Sequence, residues 1–177
     1  GFDDIASGNV AVDGKDMAGI PPANRIASGI SRTFQTPRID PAASVEDSVL
    51  CGFHPHARIS FWEGLFRTPT LSRTEAELRR RRTRVLEQLD LLGYAGQQMG
   101  ELPMGIVRMV DIARAMAAEP KYLLLDEPAA GISKTEQNVL IRQVRQLADQ
   151  GVGVLLVEHN FGLVRRLADR VVVLDRG

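Results

Sequence analysis

Two spacings of apolar residues divide this chain into strands and helices. Apolar runs at residues 122–125 and 152–157 predict buried strands of a parallel sheet, and residues 30–34 predict a shorter strand. Apolar residues that recur every three or four positions predict helices at residues 72–92 and 134–149. Because strands alternate with helices, we expect an α/β fold. The other predicted elements are strands at residues 8–12 and 171–174 and helices at residues 21–28 and 160–168.

The middle of the chain differs from its two ends because the elements predicted there are all helical. Ser44, followed three residues later by Asp47, is placed to cap a helix over residues 45–53. A further amphipathic helix begins near Met104 and continues through Met116. We therefore divide the chain into three segments, which are residues 1–43, 44–118 and 119–177.

Polar side chains follow three of the predicted strands at the point where each strand ends. Asp126 and Glu127 follow one strand, Gln35 follows the short strand, and His159 comes shortly after the third. Each has an ordinary explanation when taken alone, as an exposed acid, a loop residue or a solvated histidine. Open α/β sheets bind ligands at the carboxyl ends of their strands, so the convergence favours a functional site. Adjacent carboxylates suit the binding of a divalent cation and the activation of water.

Short segments of the chain resemble the motifs of one family. Residues 102–106 open a helix and are similar to the signature motif of the ATP-binding subunits of ABC transporters. Residues 32–35 and 128–133 resemble the Q-loop and D-loop of the branch that imports branched-chain amino acids, the LivG-like subunits. Residues 122–128 and 157–160 resemble the Walker B motif and the H-loop. The resemblance covers essentially the whole chain.

The resemblance implies a P-loop NTPase-like ABC nucleotide-binding domain, present in part, with a helical subdomain. ATP and Mg²⁺ would lie between two such subunits. Asp126 would bind Mg²⁺ through water, Glu127 would be the general base, and His159 would contact the γ-phosphate. Gln35 would contact both Mg²⁺ and the attacking water. The residues implied to face the nucleotide of the partner subunit are Met104, Gly105 and Ser133.

The resemblance also implies partners and a location. Residues 1–43 and 119–177 would form the nucleotide-binding core, and residues 44–118 would form the helical subdomain. The partners would be a second ABC ATPase subunit, transmembrane permease subunits and, indirectly, a solute-binding protein. The chain would act at the cytoplasmic face of the cell membrane. Two alternatives stay open: a degenerate subunit that does not hydrolyse ATP, and an ATPase subunit for another solute such as urea or amides.

The largest departure from the family is that no G-x-x-x-x-G-K-[S/T] phosphate loop occurs in the sequence. The amides and lysine of that loop normally hold the β- and γ-phosphates. Gly1 and Phe2 resemble the segment after the loop, so we expect the loop upstream. The term complete domain means these residues joined to the upstream segment that carries the phosphate loop. The chain alone is expected neither to bind ATP tightly nor to hydrolyse it, with Leu124 and Leu156 lacking cover.

Further departures lie in the signature motif and the D-loop. Ile106 stands where the family usually has glutamine, and Pro103 stands where many members have serine. Both changes remove side-chain donors near the phosphate of the partner subunit. Restoring glutamine at position 106 is therefore expected to strengthen ATP-driven dimerisation, unless Ile106 packs against a neighbour. Ser133 replaces a longer polar residue and puts the D-loop contact across the dimer in doubt.

Composition removes several other classes of function. The 22 basic and 22 acidic residues give a formal net charge of zero, so nothing suggests binding to nucleic acid. No apolar run approaches the roughly twenty residues that span a bilayer. Cys51 is the only cysteine, so an intrachain disulfide is impossible and a reducing compartment is expected.

Overall fold

The structure is a computed structural model that describes residues 8–56 and 69–175. Its strands are β1 (Ala11–Val12), β2 (Lys15–Asp16), β3 (Ile30–Arg32), β4 (Tyr122–Asp126) and β5 (Gly153–Val157). Its α-helices are α1 (Pro22–Ile26), α2 (Val45–Leu50), α3 (Pro69–Gln88), α4 (Met104–Ala117), α5 (Lys134–Asp149) and α6 (Phe161–Leu167). Short 3-10 helices occur at Cys51–His56, Leu92–Tyr94 and Met99–Glu101.

Strands β3, β4 and β5 form a parallel sheet with β4 at its centre. Tyr122 at the start of β4 faces Ile30 on one side and Gly153 on the other, so the three strands begin at the same level. The parallel sheet predicted from the sequence is confirmed. Strands β1 and β2 form a separate antiparallel hairpin. Its turn places Asp13 at φ 51° and Gly14 at φ 74°, and turns with two positive φ angles match the twist of paired strands.

The two faces of the parallel sheet are covered differently. Leu123 and Leu125 are 0% and 1% exposed on the face that packs against the helices. On the other face, Leu155 is 60% and Val157 is 55% exposed. The expectation that Leu156 lacks cover is therefore wrong, because the alternation of a strand turns Leu156 towards the core and Leu155 away from it.

The strand predicted at residues 171–174 is absent from the structure. These apolar residues have no regular secondary structure, and Val173 and Leu174 are each 83% exposed. A strand requires a neighbouring row of backbone donors and acceptors. None pairs with this segment within the described ranges, so its apolar pattern alone does not make it a strand.

Helices α2, α3 and α4 pack on one another in the middle of the chain. Helix α3 begins at Pro69, three residues before the predicted start, because proline is well suited to the first turn of a helix. The division of the chain at residues 43/44 and 118/119 stays a prediction. In the part of the chain that the structure describes, no helix is both long enough and apolar enough to cross a membrane.

Candidate functional site at the carboxyl edge of the sheet

Side chains from three strand ends meet at the carboxyl edge of the parallel sheet. Nε2 of Gln35 donates a hydrogen bond of 3.2 Å to Oε2 of Glu127. On the other side, Nδ1 of His159 lies 3.7 Å from Oε1 of Glu127. The Glu127 side chain is 29% exposed and that of His159 is 78% exposed. Glu127 is therefore the centre of the group, with an amide on one flank and an imidazole open to solvent on the other.

Asp126 lies next to this group and is paired with an arginine. Nη2 of Arg32 donates to Oδ2 of Asp126 over 3.2 Å, with side chains 40% and 30% exposed. The backbone amide of Asp126 donates to Oγ1 of the buried Thr33. An ion pair this exposed contributes about 1 kcal/mol or less. A divalent cation can therefore compete with Arg32 for the Asp126 carboxylate.

The backbone of Glu127 adopts a left-handed conformation with φ 45°. Such a conformation costs a residue with a side chain about 1–3 kcal/mol and persists only where its surroundings fix it. The Glu127 amide donates to the Val157 carbonyl, and its own carbonyl accepts from the Ala130 amide. That carbonyl also accepts a hydrogen bond of 3.1 Å from Nη1 of Arg108. These bonds fix the direction of the Glu127 side chain.

The Glu158 carboxylate connects the loop after β4 with the loop after β5. Its Oε1 accepts from the Ala129 amide over 3.0 Å, and its Oε2 accepts from the Asn160 amide over 3.2 Å. The Asn160 side chain in turn caps helix α6 by accepting from the Leu163 amide. The two residues on either side of His159, Glu158 and Asn160, are therefore both held by hydrogen bonds.

Two buried charged residues that the motifs did not predict lie beneath this edge. Arg108 is 8% exposed and Asp111 is 2% exposed, one helical turn apart on α4. Burial raises the pKa of Asp111, although the Arg114 guanidinium 2.6 Å away favours its ionised form. The sequence indicates the burial of Arg108 only through its position, because it lies four residues before Ile112 on the inner face of this helix.

Met104 and Gly105 occupy the first turn of α4, where Pro103 provides no side-chain cap. Met104 is 60% exposed, whereas Gly105 is buried. A Cβ atom at Gly105 would lie 3.1 Å from the Gly131 carbonyl oxygen and 3.1 Å from Oε2 of Glu136. The start of α4 therefore packs closely on residues 131–136, and a residue without a side chain allows this approach.

Ser133 has a structural role in this geometry. Its Oγ accepts from the Glu136 amide, and the Glu136 carboxylate accepts from the Ser133 amide, which completes a capping box at the start of α5. The hydroxyl of Ser133 is thus engaged within its own chain. The binding roles of Met104, Gly105 and Ser133 towards a partner's nucleotide stay predictions.

The burial of Ile106 favours the packing explanation over a donor role for this position. Its side chain is 9% exposed and belongs to the apolar core. We expect Ile106→Gln in the complete domain to lower the free energy of unfolding by about 1–3 kcal/mol, because an amide would be buried without assured partners. Chemical denaturation measures this loss.

The matched control for this change is Met104→Gln, two residues earlier and 60% exposed. It should change the free energy of unfolding by about 0.5 kcal/mol or less, as exposed substitutions usually do. Equal stability of the Ile106→Gln and Met104→Gln variants, with stronger ATP-driven dimerisation of the first, would support the donor role instead.

The residues of this edge fit Mg²⁺ only when phosphate completes its coordination. Within the described residues, no group of three or more histidine, cysteine, aspartate or glutamate side chains is placed to hold a metal ion. Mg²⁺ prefers oxygen ligands and is usually held by one or two carboxylates together with waters and substrate phosphates. Asp126 and the amide oxygen of Gln35 are such ligands, so the donor set is compatible with the ion.

Comparison with known proteins places this chain in a family. The family model described as ABC transporter matches residues 1–130. The whole chain is 34% identical to the high-affinity branched-chain amino acid transport ATP-binding protein BraF of Pseudomonas aeruginosa. It is 32% identical to the corresponding protein LivG of Escherichia coli. In both comparisons the chain covers 70% of the relative.

Solved structures give the same result. The chain is 29% identical to a nucleotide-free ATP-binding cassette from an ABC transporter, with a TM-score of 0.74 and coverage of 96% of this chain and 66% of that one. A second cassette, in its ADP conformation, gives 29% identity and a TM-score of 0.71 over 94% of this chain and 65% of that one. The chain thus spans about two thirds of these cassettes. It belongs to the ABC transporter family of ATP-binding proteins, in the LivG-like branch.

Proposed function

We propose that the complete domain is the ATP-hydrolysing subunit of an ABC importer for branched-chain amino acids. The single observation that carries this proposal is the contact of Gln35 and His159 with the two oxygens of Glu127 at the sheet edge. The cargo follows from the relatives, whose names state branched-chain amino acid transport. The location proposed is the cytoplasmic face of the membrane, against permease subunits.

The catalytic base in this proposal is Glu127. Its carboxylate accepts the proton of the attacking water, while the Gln35 amide fixes one of its oxygens and orients the water beside it. His159, exposed at the rim, donates to the γ-phosphate of bound ATP. The left-handed backbone of Glu127 aims the carboxylate between these two groups.

In this proposal ATP and Mg²⁺ bind together at this edge of the sheet. Asp126 and Gln35 would hold Mg²⁺, and the ion would supply positive charge that offsets the charge developing on the phosphates. Asp126 becomes available once it leaves the partly exposed pair with Arg32. We further propose that Met104, Gly105 and Ser133 face the nucleotide of a second subunit, identical or different.

The test of this function is Mg²⁺-dependent ATP hydrolysis by the complete domain, measured as phosphate release. Turnover of about 1 s⁻¹ or faster supports the proposal, since enzyme turnover numbers are typically of that order or above. ATP binding without turnover would overturn it in favour of a non-catalytic subunit. Reconstitution with its permease and uptake of leucine, compared with urea, tests the cargo.

The role of Asp126 gives a separate prediction. We expect Asp126→Asn in the complete domain to weaken Mg²⁺-dependent ATP binding by about tenfold or more, because the substitution removes the anionic oxygen that faces the cation. Calorimetry with ATP at increasing Mg²⁺ measures this effect. The matched control is Asp13→Asn, which removes an exposed carboxylate bonded to Lys121 and Tyr122 at the opposite end of β4. Equal Mg²⁺ dependence in both variants would exclude Asp126 as the cation ligand.

A further inference from the structure

We propose that Arg108 is a positioning residue that fixes Gln35 and Glu127 relative to helix α4. A movement of the helix would therefore displace both residues together. Its Nη2 donates to the Gln35 carbonyl over 2.8 Å, and its Nη1 donates to the Glu127 carbonyl over 3.1 Å. One planar guanidinium thus bridges the backbones of the two residues whose side chains are bonded to each other.

The burial of Arg108 argues that this bridge is more than an incidental contact. The side chain is 8% exposed and forms no salt bridge among the described residues, although the Asp111 carboxylate one turn along α4 interacts with it electrostatically. Its Nε has no hydrogen-bond partner among the described residues. A buried charge that is not closely paired lowers stability unless hydrogen bonds compensate for the lost solvation. The hydrogen bonds that Arg108 donates within the described residues go to the two carbonyls of the candidate site.

The same face of α4 holds the loop after β3 at two further points. Oδ2 of Asp111 accepts from the Phe34 amide over 3.4 Å. Nη1 of Arg114 donates to the Arg38 carbonyl over 2.8 Å. Positions 108, 111 and 114 are three residues apart, so each is a neighbour of the next on the surface of the helix. The loop that carries Gln35 is thus attached to α4 by these three residues, of which Arg108 also bonds to Glu127.

The geometry of the side chain makes this role specific to arginine. A lysine ammonium is a single point donor and lacks the fixed fork that reaches two carbonyls at once. If one carbonyl is released, the side chain of Gln35 or Glu127 shifts relative to the other. The catalytic part of this inference rests on the proposed function, whereas the attachment itself does not.

The experiment compares Arg108→Lys with Arg82→Lys in the complete domain. Arg82 is the matched control, because it is also partly buried and its Nε has no partner in the described part of the chain, yet its guanidinium pairs with Glu46 away from the sheet edge. For Arg108→Lys we expect kcat to fall by about 100-fold, as small displacements of reacting groups do, with KM for ATP changed by about threefold or less. Arg82→Lys should keep the parent kcat.

Hydrogen exchange gives a readout that does not depend on turnover. Amides of residues 33–38 and 127–131 should exchange about tenfold faster in Arg108→Lys, and at the parent rate in Arg82→Lys. If the parent hydrolyses no ATP, the proposed function fails. The exchange pattern alone then decides whether Arg108 attaches the two segments to α4. Unchanged kcat in Arg108→Lys, or loosening of both segments in Arg82→Lys as well, would overturn the positioning role.

Discussion

Replacing Glu127 by glutamine is expected to lower ATP turnover by the complete domain by about 100-fold or more, since general-base catalysis contributes about that much. The amide keeps the shape of the side chain and its contact with Gln35, but it cannot accept the proton of the attacking water. Binding of Mg-ATP should persist. ATP-driven dimers should accumulate, because their dissociation requires hydrolysis. Phosphate release, calorimetry and light scattering measure these three quantities.

The matched control for Glu127→Gln is Glu119→Gln. Glu119 is an exposed carboxylate that pairs with Arg81 at the far end of α4, so its loss should leave turnover near the parent value. Turnover of Glu127→Gln close to that of the parent would remove Glu127 from the role of base. Loss of ATP binding in the same variant would assign Glu127 to binding instead.

The candidate site could be predicted to a large extent because strand ends are visible in sequence. The apolar runs before Asp126 and before His159 fix where two strands end, and a parallel sheet brings such ends to one edge. The contacts of Glu127 with Gln35 and His159 agree with that argument. Their chemical roles stay predictions, which the Glu127→Gln variant tests.

The supporting residues could not be predicted in the same way. Arg108 and Glu158 act through backbone carbonyls and amides, which carry no sequence signature of their own. The left-handed conformation of Glu127 is equally hidden, because glutamate gives no hint of positive φ. Such features depend on tertiary contacts between segments that are far apart in the chain.

Elements were predicted well where both periodicity and capping agreed. Helix α5 has the predicted bounds because the Ser133 capping box starts it and its apolar face is regular. Residues 171–174 have an apolar pattern without a partner strand, and there the pattern misled. Ile106 is a different case. It departs from the family motif, and the structure shows that it belongs to the core. Local pattern is decisive only where the tertiary partner is also present.

Among the glycines that the structure describes, Gly52 is expected to be the least tolerant of a single added methyl group. A Cβ atom there would lie 2.2 Å from the Arg114 carbonyl oxygen and 2.8 Å from the Ala117 Cβ, both on α4. Because a backbone carbonyl cannot turn aside as a flexible side chain can, Gly52→Ala should lower the free energy of unfolding of the complete domain by about 3 kcal/mol. Chemical denaturation gives this value.

Gly93→Ala is the matched control, since Gly93 also lies in a 3-10 helix and, among the described residues, no neighbour would come within 4 Å of a Cβ atom there. It should change the free energy of unfolding by about 0.5 kcal/mol or less. Because Arg114 also donates to the Arg38 carbonyl, a displaced α4 should also loosen residues 34–38, visible as faster amide exchange in Gly52→Ala only. Equal stability of the two glycine variants would contradict the close packing of the Gly52 segment on α4.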